Sequence, residues 1–240
     1  MQKIILLLSL TFMHFISNAD NLIRFYSNGK VGYRNQNGQI IVQPNYEAGS
    51  EFKEGFAIVV IDHKMGYINH FGELVIQAKY EDATLFENGY AAVALNGRYG
   101  FITTKGDWWI EPIYNTAYSF SENLARVCYN KKWGFIDKNK DIKIPLQYDY
   151  VGDFKNGLAK FCVNKKWGFI NSKNIIVIPA IYDYANDFEN NKTSVGIKDA
   201  DSFILDINGS ILEKIKNRKE KEEEEKKEHI TNRKNQLKNK

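Results

Sequence analysis

The chain has 240 residues, of which 43% are apolar. That is enough for one large or two ordinary domains and too apolar for a wholly disordered chain. The net charge is +4, and it sits in one place: Glu213 to Lys240 holds 11 Lys or Arg against 7 Glu, leaving 22 basic and 22 acidic residues in the body. A nucleic-acid binder shows its basic surplus on the folded part, so that class is set aside. Fifteen Phe and 14 Tyr lean the composition towards β-structure, because both fit a half-buried pleated surface.

In chain order, the first element is a secretory signal over residues 1–19. Lys3 supplies the positive start, Ile4 to Ile16 a short apolar stretch, and Ser17-Asn18-Ala19 the small residues of a cleavage site. The stretch is too short for an ordinary transmembrane helix, and no Cys follows for lipid attachment. The mature chain is expected to start near Asp20 and to work outside the cytoplasm, periplasmic or secreted.

Residues 20–210 repeat every 34. Gly32, Gly66, Gly100, Gly134 and Gly168 keep that step, with Ser202 in the sixth place. Each is followed by an aromatic: Tyr33, Tyr67, Phe101, Phe135, Phe169 and Phe203. Tyr46, Tyr80, Tyr114, Tyr148 and Tyr182 keep the same step, as do Phe52, Phe86, Phe120, Phe154 and Phe188. A shared period over independent positions marks a repeat architecture, in which no 34-residue unit buries enough surface alone.

The copy from Leu124 shows the predicted elements. Leu124 to Tyr129 and Trp133 to Asp137 read as strands around the turn Asn130-Lys131-Lys132. A second turn at Lys138-Asn139-Lys140 follows; Gly38, Gly72 and Gly106 stand there in other copies, as a positive φ would require. A third strand, Ile142 to Ile144, is expected to stop at Pro145, which has no N–H to pair. The glycine after Trp133 is expected to admit a close backbone or ring. Tyr148, Phe154 and their equivalents are expected to stack like upon like as ladders.

Lys132-Trp133-Gly134-Phe135-Ile136-Asp137 and Lys166-Trp167-Gly168-Phe169-Ile170-Asn171 resemble the signature of WG-repeat (KWG-repeat) proteins. The resemblance spans about residues 22–210. Val31, Met65, Tyr99 and Asp201 stand in the tryptophan place of the remaining copies. It implies bacterial repeat proteins with no shared enzymatic activity. The repeat-defining residues are Trp133, Gly134, Phe135, Trp167, Gly168, Phe169, Tyr148 and Tyr182.

The expected fold is all-β: six tandem three-stranded units in an open, solenoid-like array. The alternative is a propeller-like ring, whose blades usually have four strands and about 40–50 residues. In the sixth copy one extra residue is expected before the turn at Asn208-Gly209, and residues 211–240 read as a charged helix or tail.

Candidate chemistry is thin. His63 and His70 with Asp62 flank one hairpin, but no third or fourth metal ligand stands at a recognisable spacing. Glu47, Glu81, Asp149 and Asp183 recur in step, with Asn115 in the third copy; a carboxylate repeated in four units reads as a turn former rather than a catalytic acid. Cys128 and Cys162, one period apart, read as buried thiols or as a bridge. Trp108 and Trp109 replace the aliphatic pair Ile40-Ile41, and one of them facing outward would make a ligand platform, for example for a sugar. No nucleotide loop or nucleophile elbow is present. The expected function is a non-catalytic exported scaffold for protein or cell-envelope components, without a cofactor or nucleic acid. A carbohydrate or cell-wall binding module is the alternative.

Overall fold

The computed structural model describes residues 22–198, 200–215 and 227. The signal segment 1–19, and the expected tail helix beyond residue 215 apart from Lys227, lie outside the described residues. The chain divides into two compact units, Met1–Asn130 and Lys131–Lys240.

The first unit opens with a meander of β1 (Ile23–Ser27), β2 (Lys30–Arg34) and β3 (Ile40–Tyr46). A four-stranded meander follows, of β4 (Ala48–Gly49), β5 (Phe56–Ile61), β6 (Lys64–Asn69) and β7 (Leu74–Tyr80). The next has β8 (Asp82–Ala83), β9 (Tyr90–Leu95), β10 (Arg98–Thr103) and β11 (Trp108–Tyr114). The pair β12 (Thr116–Ser121) and β13 (Leu124–Tyr129) completes this unit.

The second unit starts with the pair β14 (Lys132–Asp137) and β15 (Ile142–Tyr148). Then comes the sheet of β16 (Tyr150–Val151), β17 (Leu158–Val163), β18 (Lys166–Asn171) and β19 (Ile176–Tyr182). The last sheet has β20 (Tyr184–Ala185), β21 (Lys192–Gly196), β22 (Ser202–Asp206) and β23 (Ile211–Ile215). All pairs are antiparallel, and an apolar cluster fills the space between successive sheets of each unit.

The full sheet has four strands, not three, because the segment after each repeat tyrosine adds a short strand to the next hairpin, as Ala48↔Val60 and Gly49↔Val59 show. The preference for an open array rested partly on three strands per copy, and that ground is gone. Residues 211–215, expected to begin a helix, form β23 instead, since Ile211 completes the ladder opposite Leu205.

The hairpin turns follow from their residues. Asn28-Gly29, Asp62-His63, Asn96-Gly97, Asn130-Lys131 and Asn164-Lys165 all have positive φ at both positions, the two-residue turn whose twist matches the strands. The second turn is capped by a side chain. Asn35 Oδ1 accepts the N–H groups of Asn37 and Gln39 at 3.1 and 2.9 Å, and Asp137 and Asn171 do the same in their copies. Gly38, Gly72 and Gly106 then take φ near +82°, while Lys140 and Asn174 hold that conformation as non-glycine residues.

The strand carrying the proline does not stop at it. In the last full copy, Phe169 faces Ile178 and Trp167 faces Tyr182, so residues 179–181 bulge opposite Gly168 alone. A Cβ on Gly168 would lie 2.5 Å from the Ile178 carbonyl oxygen and 2.7 Å from the Ala180 nitrogen. Gly32, Gly66, Gly100 and Gly134 are crowded by the same backbone. The expected close approach is therefore met by the neighbouring strand. Proline fits there because this strand is the outer edge and its N–H is not needed.

The sixth copy provides an internal contrast. Val195 faces Phe203 where Phe161 faces Gly168, so Phe203 occupies the glycine place and Ser202 the tryptophan place. The extra residue lies in the hairpin loop after Gly196, not before the later turn as expected from sequence. With phenylalanine in that place the wide bulge is absent, and Phe203 pairs one to one with Lys214.

Candidate functional site

The core rings contact unlike partners rather than stacking like upon like as expected. Each ring after the glycine meets the phenylalanine 19 residues later, on the segment leading into the next sheet. The pairs are Tyr33–Phe52, Tyr67–Phe86, Phe101–Phe120, Phe135–Phe154 and Phe169–Phe188, with centroids 4.8–5.8 Å apart. Such edge and tilted pairs each contribute about 0.5–1.5 kcal/mol beyond burial. Tyr33 and Tyr67 also donate their hydroxyls to the Ser50 and Thr84 carbonyls, at 2.9 and 2.7 Å.

The repeated acids are structural, through a partner that the local sequence hides. Glu47 and Glu81 accept the N–H of His63 and Gly97, each the second residue of a hairpin turn. Asn115 and Asp149, one methylene shorter, accept from the first turn residue, Asn130 and Asn164, at 2.8 and 2.9 Å. Lys132 and Lys166 also donate to Asp149 and Asp183, and these charge-assisted bonds hold both carboxyls below the usual carboxylate range.

The other candidates find plain places. His63 is exposed at the turn tip beside Glu47, and His70 lies against Phe71. Among the described residues no three His, Cys, Asp or Glu side chains are grouped to hold a metal, and no helix is long and apolar enough to cross a membrane. Cys128 and Cys162 are buried and form no disulfide.

Trp108 and Trp109 are both half-buried and leave β11 on opposite faces, as neighbours in a strand must. Trp108 meets Tyr80 at 6.0 Å, and Trp109 meets Tyr90, Phe101 and Phe120 at 4.4–6.0 Å. The two rings do not form one surface.

Of the repeat-defining residues, Gly134 and Gly168 face the bulges, and Phe135 and Phe169 are fully buried. Tyr148 donates to Asn174 Oδ1 at 2.7 Å, and Tyr182 packs partly buried in the last cluster. Trp133 and Trp167 lie on either side of Tyr150, with centroids 5.4 and 5.6 Å away. In the third copy Tyr99 and Asp82 stand in the Trp and Tyr150 places, and a hydrogen bond of 2.5 Å replaces the ring contact.

Beside Trp167 lies a basic–acidic pair that some copies share and others lack. Lys160 stands where copies one and four have Arg24 and Arg126 and copies two and three have Ile58 and Ala92; Asp187 stands where copies one and four have Glu51 and Asp153, copy two Leu85 and copy three Ser119. In copy one the equivalent pair, Arg24 and Glu51, is also joined, at 3.1 Å. Lys160 Nζ lies 3.1 Å from Asp187 Oδ1 and 5.6 Å from the Trp167 ring centre; Lys155 approaches the other Asp187 oxygen at 3.5 Å. Lys155, Lys160 and Asp187 wall a cleft of about 650 Å³, together with Asn186, Lys192, Ser194 and Glu213. Sequence reading missed it because its walls come from two successive sheets. Its sign in the sequence was a charged pair, 27 residues apart, that copies two and three lack.

A family model described as "WG containing repeat" matches residues 32–64, 65–99, 99–133, 133–167 and 167–198. No curated protein matches the chain. Among solved structures, one titled as the eukaryotic initiation factor aligns at 11% identity and a TM-score of 0.54, covering 82% of this chain and 63% of that one. Kluyveromyces lactis Hsv2 with loop 6CD replaced by a Gly-Ser linker aligns at 7% identity and 0.52, covering 82% and 78%. The computationally designed Ika8 protein aligns at 14% and 0.50, covering 81% and 71%. At these identities the likeness concerns the fold alone.

Proposed function

Because the chain belongs to the family of WG-containing repeats, we propose that it works as a non-catalytic repeat scaffold, exported from the cytoplasm, that binds a protein or cell-envelope component. The observation that carries this reading is the cleft at Lys160 and Asp187. The repeat forms in copies two and three with Ile58 and Leu85, or Ala92 and Ser119, at these two positions, so the charged pair is not a requirement of the fold. Lys155, Lys160 and Lys192 alternate with Asp187, Glu189 and Glu213, a pattern that selects a partner by complementary charge rather than by hydrophobic area. Export rests on Lys3, the apolar stretch Ile4 to Ile16 and Ser17-Asn18-Ala19.

The deciding experiment is cross-linking to envelope components with the wild type and with the double charge reversal Lys160→Glu, Lys192→Glu. A partner captured by the first and lost by the second supports the proposal, and equal capture removes it. One observation favours carbohydrate as the ligand: Asn186, Thr193 and Ser194 place several hydrogen-bonding groups in a cleft wall beside Trp167. A glycan array with the wild type and Asn186→Ala separates the two, since only the carbohydrate reading expects a signal and its loss in the variant.

A further inference from the structure

The first sheet stops one strand short of the others. β5, β9, β17 and β21 each carry a two-residue strand, and β13 the six-residue β12, on the edge away from their hairpin partner. β1 holds the same place 34 residues before β5, and among the described residues no strand lies along that edge. In the second sheet the backbone there is engaged at Ile58 and Val60, whose carbonyls accept from Ser50 and Glu47 at 3.0 Å. The matching groups of β1 belong to Arg24 and Tyr26. Tyr26 is 66% exposed. Gly29 stands where His63 donates its N–H to Glu47, with open space around it.

We propose that this edge takes an extended strand from a partner protein, with a carboxylate placed to accept the Gly29 N–H and a small residue two positions further on. The five strands that cover the same edge elsewhere define that chemistry. Each follows Glu47, Glu81, Asn115, Asp149 or Asp183, and the second strand residue is Gly49, Ala83, Ala117, Val151 or Ala185. Carried back by one period, the carboxylate position falls on Met13 and the small position on Phe15, so the sequence before Ile23 does not carry this pattern. Pairing along a sheet edge supplies affinity through backbone hydrogen bonds, and the side-chain pattern selects the partner. The proposal rests on the first unit alone and is independent of the cleft.

The experiment uses the full chain and a synthetic peptide of residues 81–86, Glu-Asp-Ala-Thr-Leu-Phe, read by residue-resolved amide hydrogen exchange. Exchange at Arg24 and Tyr26 is fast in the free chain and slows when the peptide binds. A peptide with Lys in place of its first Glu binds about tenfold more weakly, the worth of one hydrogen bond to a charged group. Tyr26→Pro removes an outward N–H that no ladder bond uses, so binding is lost while the melting temperature holds. Slow exchange at both amides in the free chain overturns the proposal, because its own residues or a second copy would then occupy the edge. Unchanged exchange at saturating peptide overturns it as well, whatever the Tyr26→Pro variant does.

Discussion

Replacing Gly168 with alanine tests the role assigned to the repeat glycine. The new Cβ would meet the Ile178 oxygen at 2.5 Å, the Ala180 nitrogen at 2.7 Å and the Pro179 carbonyl carbon at 2.8 Å. Comfortable contacts lie near 3.5–4.0 Å, so the bulged strand has to withdraw by about 1 Å. All three atoms are backbone, and no rotamer change relieves them. Overpacking of this kind costs about 1–3 kcal/mol, and loosening the ladder between Phe169–Ile178 and Trp167–Tyr182 adds about 1 kcal/mol. A loss of about 3 kcal/mol lowers the melting temperature of a chain this size by about 6–12 °C. Gly157→Ala is the control: φ is +79° with nothing within 4 Å, so it bears only the left-handed backbone cost of about 1 kcal/mol. Thermal and urea melts followed by tryptophan fluorescence measure both. Equal shifts for the two variants would refute the close-approach argument and leave the glycine as a purely conformational device.

Three further outcomes are expected. Tyr80 has a buried hydroxyl without a partner, whereas Tyr148 donates to Asn174; residue 106, the equivalent of Asn174, is glycine. Gly106→Asn supplies the acceptor at a φ that asparagine tolerates and raises stability by about 0.5–1 kcal/mol in a urea melt. Lys140→Gly relieves a φ of 71° and stabilises by a similar amount, about 0.5–1 kcal/mol, seen as a higher melting temperature. Asp149 and Asp183 have carboxyls held below their ordinary range by Lys132 and Lys166, so their contribution is complete above the unfolded value of about 3.9 and is lost as pH falls through the lower folded values. In melts from pH 7 to 2.5, the double variant Asp149→Asn, Asp183→Asn starts lower and shows a shallower acid decline; parallel curves would remove the linkage.

The period, the hairpins, the positive-φ turn glycines and the crowding at Gly134 and Gly168 were legible because each is a local demand on one residue type. The short strands were not. Two residues such as Ala48-Gly49 carry no periodic pattern, and the segment belongs spatially to the hairpin that follows it. The acids misled in the same way, since the amide that Glu81 accepts lies 16 residues away at Gly97. In copy six, Ser202-Phe203 kept the glycine-aromatic spacing by sequence while the longer hairpin loop moved the backbone by one, which only the pairing reveals. The cleft escaped because Lys160 and Asp187 are 27 residues apart, and either alone resembles an ordinary surface charge.

The side-chain oxygen that reaches across to four of the hairpin turns holds backbone and leaves the side chain at the turn tip without that duty in folding. His63, Gly97, Lys131 and Lys165 fill one backbone position with three side-chain chemistries, because what the framework grips is an amide of the turn, at His63 and Gly97 themselves or one residue earlier at Asn130 and Asn164. Mutation can therefore explore those four tips without unravelling the sheets behind them. A repeat built this way acquires a new specificity by substitution at its tips, while its interior stays under one unchanging rule.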